Sequence, residues 1–478
     1  MPNNIISATR SVLHVASECS PWSGTGGLGE VSRDLPVAQA GLGASAIVLS
    51  PSYRDVTAWG PARDIAEGRM RLGVWDFEWR VVNPTTADHI WLLDIPALFH
   101  RPTPYSVGGS EYPDNIVRFA FLCAVAVDLV QRFDFQVLHA HDWQSALAVA
   151  WLKEHALDAK AVYTIHNLAF QGRFSAAWAD LLGLSTQVRR HSEYYGQVNL
   201  TKLALQCADA VTTVSPQYAK EILTPEFGEG LEGVLRHDVR SIEGILNGVG
   251  DSWDPLTDPA LDVHFDVNTV ANRAAARRRL LADAGLRTES SATMVVMSCR
   301  WTWQKGVDLA LGALHEVLRD TDLVVLLMGS GDYQLEDRTR ELVRAHPGRV
   351  AWQLAWSDRM HRRLLGAADL LLMPSRFEPC GLTQLQAMRY GTLPVVTPVG
   401  GLADTVRDCR LHADGTGFVC PNVDLDGVTQ TLRIAAAARD HRDAWQKAMR
   451  CAMTREFSWQ SAAERYLSLY HELLRNRP

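Results

Sequence analysis

The sequence predicts an α/β protein made of two doubly wound units in tandem, on three observations. Short apolar runs rich in Val, Ile and Leu alternate with longer segments of helical period, the pattern of buried parallel strands joined by helices. The alternation pauses once, around 247–267, where Asp, Pro and Gly gather, and then restarts. The 478 residues, 47% of them hydrophobic, suffice for two large cores without disulfides or metals.

In chain order the expected strands of the first unit are Leu13–Ala16, Ala46–Leu49, Trp91–Ile95, Val137–Ala140, Ala161–Ile165 and Val211–Val214. Those of the second are Met294–Ser298, Leu323–Met328, Val350–Leu354, Leu370–Met373 and Leu393–Thr397. Helices are expected over Leu28–Gln39, Asp114–Gln131, after Lys305, from Thr383 and after Gly401. A terminal helix over Trp459–Leu474 carries an apolar stripe of Tyr466, Leu469, Tyr470 and Leu473 that needs a partner surface.

Composition narrows the function. The net charge of −7, from 47 basic and 54 acidic residues without long like-charge blocks, excludes the basic footprint of a nucleic-acid binder. The eight cysteines show no C-x-x-C spacing and read as reduced thiols. No basic cluster precedes the first apolar run, and the longest uncharged apolar stretch, Phe119–Val127, falls short of the roughly 20 residues that span a bilayer. A cytoplasmic protein without membrane association is expected.

Ligands of doubly wound sheets sit beyond the carboxyl ends of the strands. Four such ends here are polar: His139-Ala140-His141-Asp142-Trp143, His166-Asn167, Arg300 with Lys305, and Ser375-Arg376-Phe377-Glu378. Arg300 and Lys305 follow one strand, and two cations beside a helix start suit a pyrophosphate leaving group. Glu378 precedes the helix from Thr383, where a carboxylate can cap the helix, bind sugar hydroxyls or stabilise an oxocarbenium-like centre. Gly400-Gly401-Leu402 opens a helix after a strand and is expected to offer backbone N–H groups to an anion. Gly24-Thr25-Gly26-Gly27-Leu28-Gly29 matches G-x-G-x-x-G in form. A nicotinamide site is disfavoured, because the glycines begin well after the strand and the second run ends in Ser50-Pro51 rather than an acid. What survives is an anion cradle at Gly26 and Gly27, or a tight loop with no ligand. His141 is a candidate hydrogen-bonding or proton-shuttling group. Zinc is disfavoured, since His139 and His141 alternate on a strand and no third ligand of matching spacing follows.

These motifs, with Thr213-Val214-Ser215-Pro216, Asn247-Gly248-Val249, Trp303-Gln304-Lys305-Gly306, the specific run PSRFEPCGLTQL (Pro374–Leu385) and GGLADTV (Gly400–Val406), resemble bacterial glycogen synthases and plant starch synthases, collinearly from about Leu13 to Tyr470. The resemblance implies a GT-B fold of two Rossmann-like domains facing a deep cleft. They are an acceptor-side domain over 1–250 and a nucleotide-sugar domain over 251–456, followed by a helix, 457–478, crossing back to the first. It implies retaining transfer of glucose from ADP-glucose to the non-reducing-end 4-hydroxyl of an α-1,4-glucan, with no metal or other cofactor. Arg300 and Lys305 would hold the donor phosphates, Glu378 the transferred sugar, and His141 the sugar through its side chain or adjacent backbone. Gly26, Gly27, Asn247, Cys380, Gly381, Leu382, Thr383, Gly400, Gly401 and Leu402 would line the donor site, and Trp356 would stand where the family stacks a tyrosine on adenine. Asp114, His166 and Asn167 would face the sugar or acceptor.

Three positions depart from the family pattern. Gly24 replaces its lysine, Glu30 its aspartate, and Gly250 the acid of Asn-Gly-Val-Asp, displaced to Asp251. They keep two alternatives open: another nucleotide sugar or a small acceptor with the same chemistry, or a non-catalytic glucan-binding relative.

Overall fold

A computed structural model describes residues 11–24, 26–287 and 292–475. The chain forms two compact units, 1–248 with 458–478, and 249–457.

The first unit is built on a nine-stranded sheet. Its strands are β1 (Ser11–Val15), β2 (Ser45–Pro51), β3 (Ala62–Leu72), β4 (Trp75–Pro84), β5 (Ile90–Asp94), β6 (Val137–His141), β7 (Lys160–Ile165), β8 (Ala210–Thr213) and β9 (Ile242–Gly244), in the order β9-β8-β7-β6-β1-β2-β5-β4-β3. The core is parallel, and β3 and β4 add an antiparallel hairpin at one edge. The apolar-run reading missed that hairpin, because β3 carries Arg63, Asp64, Glu67, Arg69 and Arg71 and lies largely on the surface. Helix α1 (Gly27–Gly41) crosses from β1 to β2, and α2 (Asn115–Phe133) is buried along most of its length. The terminal helix, Trp459–Arg475, lays Trp459, Ala463, Tyr466 and Tyr470 into a core cluster with Val31 and Leu35 of α1 and Val12, Val137 and Val162 of the strands. That is the partner surface its stripe required.

The second unit has six parallel strands: β10 (Thr293–Ser298), β11 (Leu323–Met328), β12 (Val350–Gln353), β13 (Leu370–Met373), β14 (Leu393–Val396) and β15 (Phe418–Val419). They lie in the order β12-β11-β10-β13-β14-β15, which reverses direction at β10, so the carboxyl ends of β10 and β13 flank the switch point where doubly wound sheets bind ligands. Helices α3 (Val307–Val317) and α4 (Thr383–Arg389) follow those ends, and α5 (Gly400–Thr405) follows the end of β14. Among the described residues no helix is long and apolar enough to cross a membrane.

Candidate active site

In the second unit the switch point gathers the strongest group. Residues Trp303–Lys305 make one tight turn, closed by Gly306 at φ 61°. A Cβ on Gly306 would lie 1.9 Å from the Pro374 carbonyl oxygen, so glycine lets the lysine turn rest directly on the segment after β13. Lys305 Nζ consequently donates to Glu378 Oε2 at 2.5 Å, and Ser375 Oγ donates to the same oxygen at 3.1 Å. Glu378 is buried while Lys305 keeps a solvent-facing part, which makes this a charge-assisted contact with little water to compete. Arg376 grips Asp308 with two nitrogens at 2.7 Å and stacks on Trp303, fixing the strand-end loop to α3. Asp308 was not singled out from the sequence, and Ser375 only as part of a polar strand end, because their roles depend on this loop-to-turn contact.

Helix α4 follows Cys380-Gly381-Leu382 without a capping side chain, and the N–H groups of Leu382 and Thr383 meet no protein acceptor among the described residues. That leaves donors pointing out of a helix start, beside Glu378 in sequence. Gly400-Gly401-Leu402 differs from expectation. Gly401 N–H donates to the Glu378 carbonyl at 3.0 Å and Leu402 N–H to the Val399 carbonyl at 3.0 Å, so neither is available to an anion. A Cβ on Gly401 would lie 2.0 Å from the Cys380 carbonyl oxygen, and close packing is what this glycine provides. Arg300 is exposed and makes no ion pair among the described residues. Trp356 is exposed on the loop after β12, 6.1 Å from the His361 ring, and forms no hydrogen bond with the Lys305–Glu378 group.

In the first unit, strand pairing sets His14 of β1 opposite His139 of β6, and His141 opposite Thr164 of β7. His14 is thus the third histidine that spacing alone did not supply, and the ligand atoms of His14, His139 and His141 lie within 4.8 Å of one another. Their ring nitrogens are nonetheless engaged with protein groups. His14 bonds to Gln39 (2.8 Å) and His141 (3.0 Å), His141 also to His166 (2.9 Å), and His139 to Tyr470 and Thr164 (both 2.6 Å). With both its nitrogens occupied and its ring buried, the His141 side chain has no nitrogen left to offer a sugar, and its carbonyl oxygen accepts from Ser145 Oγ at 2.8 Å. Burial lowers His14 to about 4 and His166 to about 3, and pushes His139 and His141 well below the usual histidine range, so all four are neutral at pH 7.

Asp142, next along the chain, has φ 58° and ψ −178°, a backbone state normally left to glycine. Its carboxylate holds it there by accepting from the N–H of His166 (2.7 Å) and Asn167 (3.4 Å), which ties the end of β6 to the end of β7. Burial raises its pKa to about 7. Asp114 precedes α2 and pairs with Arg101 at 2.8 Å. Asn247 is buried near the end of this unit's first segment. Gly26 caps α1 with no side-chain hydrogen bond, and a Cβ on Gly24 would stand 2.9 Å from Ser20 Oγ and 4.0 Å from Glu18 Oε2. Glu18, buried and bonded by the Tyr105 hydroxyl at 2.5 Å, escaped the motif reading because nothing in its neighbourhood marks it.

Comparison with known proteins places both units. Residues 11–237 match the starch synthase catalytic domain, and residues 283–451 match glycosyl transferases group 1. Glycogen synthases of Anaeromyxobacter dehalogenans (strain 2CP-C) and Serratia proteamaculans (strain 568) are each 40% identical, over 97% of this chain and 99% of theirs. The catalytic domain of starch synthase IV from Arabidopsis thaliana, solved with ADP and acarbose, superimposes with a TM-score of 0.88 at 27% identity, over 98% of this chain and all of that one. A sucrose-phosphate synthase from Thermosynechococcus elongatus, at 17% identity and TM-score 0.64, shares the fold. The chain belongs to the glycogen and starch synthase family and is a glycosyltransferase of the GT-B fold.

Proposed function

We propose that the protein transfers glucose from ADP-glucose, with retention, to the non-reducing-end 4-hydroxyl of an α-1,4-glucan, in the cytoplasm and with no resident metal or other cofactor. The observation that carries this is the Lys305–Glu378 contact at the switch point, beside the uncapped start of α4. The bond from the sugar C1 to the donor phosphate breaks as the bond from C1 to the acceptor oxygen forms on the same face, and the acceptor proton leaves with the phosphate oxygen. Lys305 and Arg300 neutralise the charge growing on the departing ADP, the role a metal would otherwise fill. The N–H groups of Leu382 and Thr383 add fixed dipoles to the same phosphates. Glu378, oriented by Lys305 and Ser375, holds the transferred sugar at the reacting centre. Asp114, His166 and Asn167 of the first unit are the residues proposed to bind the sugar or the acceptor.

Incorporation of glucose from ADP-glucose into glycogen by the purified protein, abolished in Glu378→Ala and Lys305→Ala, tests this. No incorporation above those controls defeats it. Gly24 favours one second reading, another nucleotide sugar or a small acceptor, because the loop near Glu18 lacks the family's cation. A panel of donors and acceptors in which ADP-glucose and long glucan are not the best pair supports that reading.

A further inference from the structure

In the row Gln39–His14–His141–His166 each imidazole is neutral, so each has one N–H and one lone pair. A neutral ring that accepts on one nitrogen donates from the other, and the direction of the whole row follows from whichever end is fixed. Gln39 is that end. Its amide nitrogen donates to the Tyr470 hydroxyl at 3.2 Å, which turns its carbonyl oxygen to His14 Nε2. Accepting from Gln39, the Tyr470 hydroxyl is left to donate to His139 Nδ1, and His139 Nε2 then donates to Thr164, so this branch takes its direction from Gln39 as well. With the Gln39 oxygen as acceptor, the protons sit on Nε2 of His14, His141 and His166. His166 Nδ1 then carries a lone pair, and it meets no protein partner among the described residues, on a partly exposed residue just past the carboxyl end of β7. The row conducts no proton outward, because it ends on an amide oxygen that does not take one. It sets direction only.

We propose that Gln39 on α1 and Tyr470 on the terminal helix are positioning residues that fix the tautomer of His166, so that its Nδ1 accepts a hydrogen bond from a hydroxyl of the bound sugar. The sugar contact rests on the function proposed above; the tautomer row does not. Protein labelled with ¹⁵N-histidine, its ring signals assigned by omission in His14→Gln, His141→Gln and His166→Gln, reports each tautomer directly. The expected wild-type result is a neutral, Nε2-protonated ring at all three positions. Gln39→Leu and Tyr470→Phe are expected to give mixed tautomers at His166 and a fall of about five- to tenfold in kcat/KM for the glucan, the size of one neutral hydrogen bond. A purely structural role would lower the melting temperature and leave the His166 tautomer unchanged, which overturns the proposal. So does an Nδ1-protonated or cationic ring at any of the three in the wild type. The two variants act at different helices, so failure of one to fold leaves the other to decide. If the tautomers shift as described while kcat/KM is unchanged, the sugar contact is refuted and the row stands. If no sugar transfer occurs at all, the spectra still decide the row.

Discussion

Lys305 and Glu378 are so placed that stability and activity should part company when both are changed. Glu378 is nearly inaccessible, with 6% of its side chain exposed against 20% for Lys305, and their contact is 2.5 Å. Removing one member of a buried ion pair costs about 3–5 kcal/mol, because the other charge is left desolvated. Ser375 still donates to the carboxylate and Lys305 keeps some water, so Lys305→Met should cost about 2–3 kcal/mol. Glu378→Gln should cost about 1 kcal/mol, since the ammonium can turn to solvent. The double variant has no buried charge to desolvate and should lie about 2 kcal/mol above the sum of the singles, more stable than Lys305→Met alone. Activity should show no such recovery: each single should lose a hundredfold or more in kcat, and the double at least as much. Urea unfolding of the four proteins, with glucose incorporation measured on the same preparations, checks both. Additive stability losses would refute the pairing argument, and a double variant more active than Lys305→Met would refute the assignment of these residues to transfer.

Three further outcomes follow from other parts of the molecule. The unfolded chain protonates His139 near pH 6.5 while the folded chain does so only well below, so between those values the unfolded state binds more protons and stability is lost as the pH falls. The stability gap between wild type and His139→Gln should therefore shrink by about 1.4 kcal/mol from pH 8 to pH 5.5 in urea unfolding, and a gap that stays constant contradicts the neutral, buried ring. Gly24→Lys places a cation by Glu18 at the cost of moving the flexible Ser20 side chain, and should raise kcat/KM for ADP-glucose by roughly ten- to a hundredfold. A fall, or a gain for another donor only, would show that the loop has been remade for a different substrate. Gly401→Ala drives a methyl to 2.0 Å from the Cys380 carbonyl, and should cost about 2 kcal/mol or more while displacing Glu378 through its shared backbone bond. A wild-type melting temperature with unchanged kcat counts against the close-packing role.

How much of this was legible in the sequence depends on whether a feature is local. The strand ends were: β6, β7, β10 and β13 are apolar runs that stop abruptly at His139–Asp142, His166, Arg300 and Ser375–Glu378, and a buried parallel strand leaves no other reading. The hairpin of β3 and β4 was not, because an exposed edge imposes no long apolar run. His14 and Gln39 could not be assigned to the histidine row, since their neighbours are fixed by the register of β1 against β6, over a hundred residues on, and by where α1 packs.

The two glycine turns show where a motif stops carrying information. Gly381-Leu382 precedes a short helix and Gly400-Gly401 opens one, each after a parallel strand; the sequence marks Gly400-Gly401 as a cradle for an anion, and the family resemblance puts Gly381 and Leu382 at the donor site as well. What separates them is how their N–H groups are already used. Those of Leu382 and Thr383 meet no protein acceptor among the described residues, whereas those of Gly401 and Leu402 are spent on the carbonyls of Glu378 and Val399. A backbone donor serves a ligand only when the fold has left it over, and that depends on a partner segment, here Glu378–Cys380, folding onto the turn. The bond from Gly401 instead fixes the backbone of the one carboxylate that Lys305 grips from the other side. Gly401 and Lys305 therefore act on one residue, and a substitution at either should be felt at Glu378 before it is felt by any phosphate.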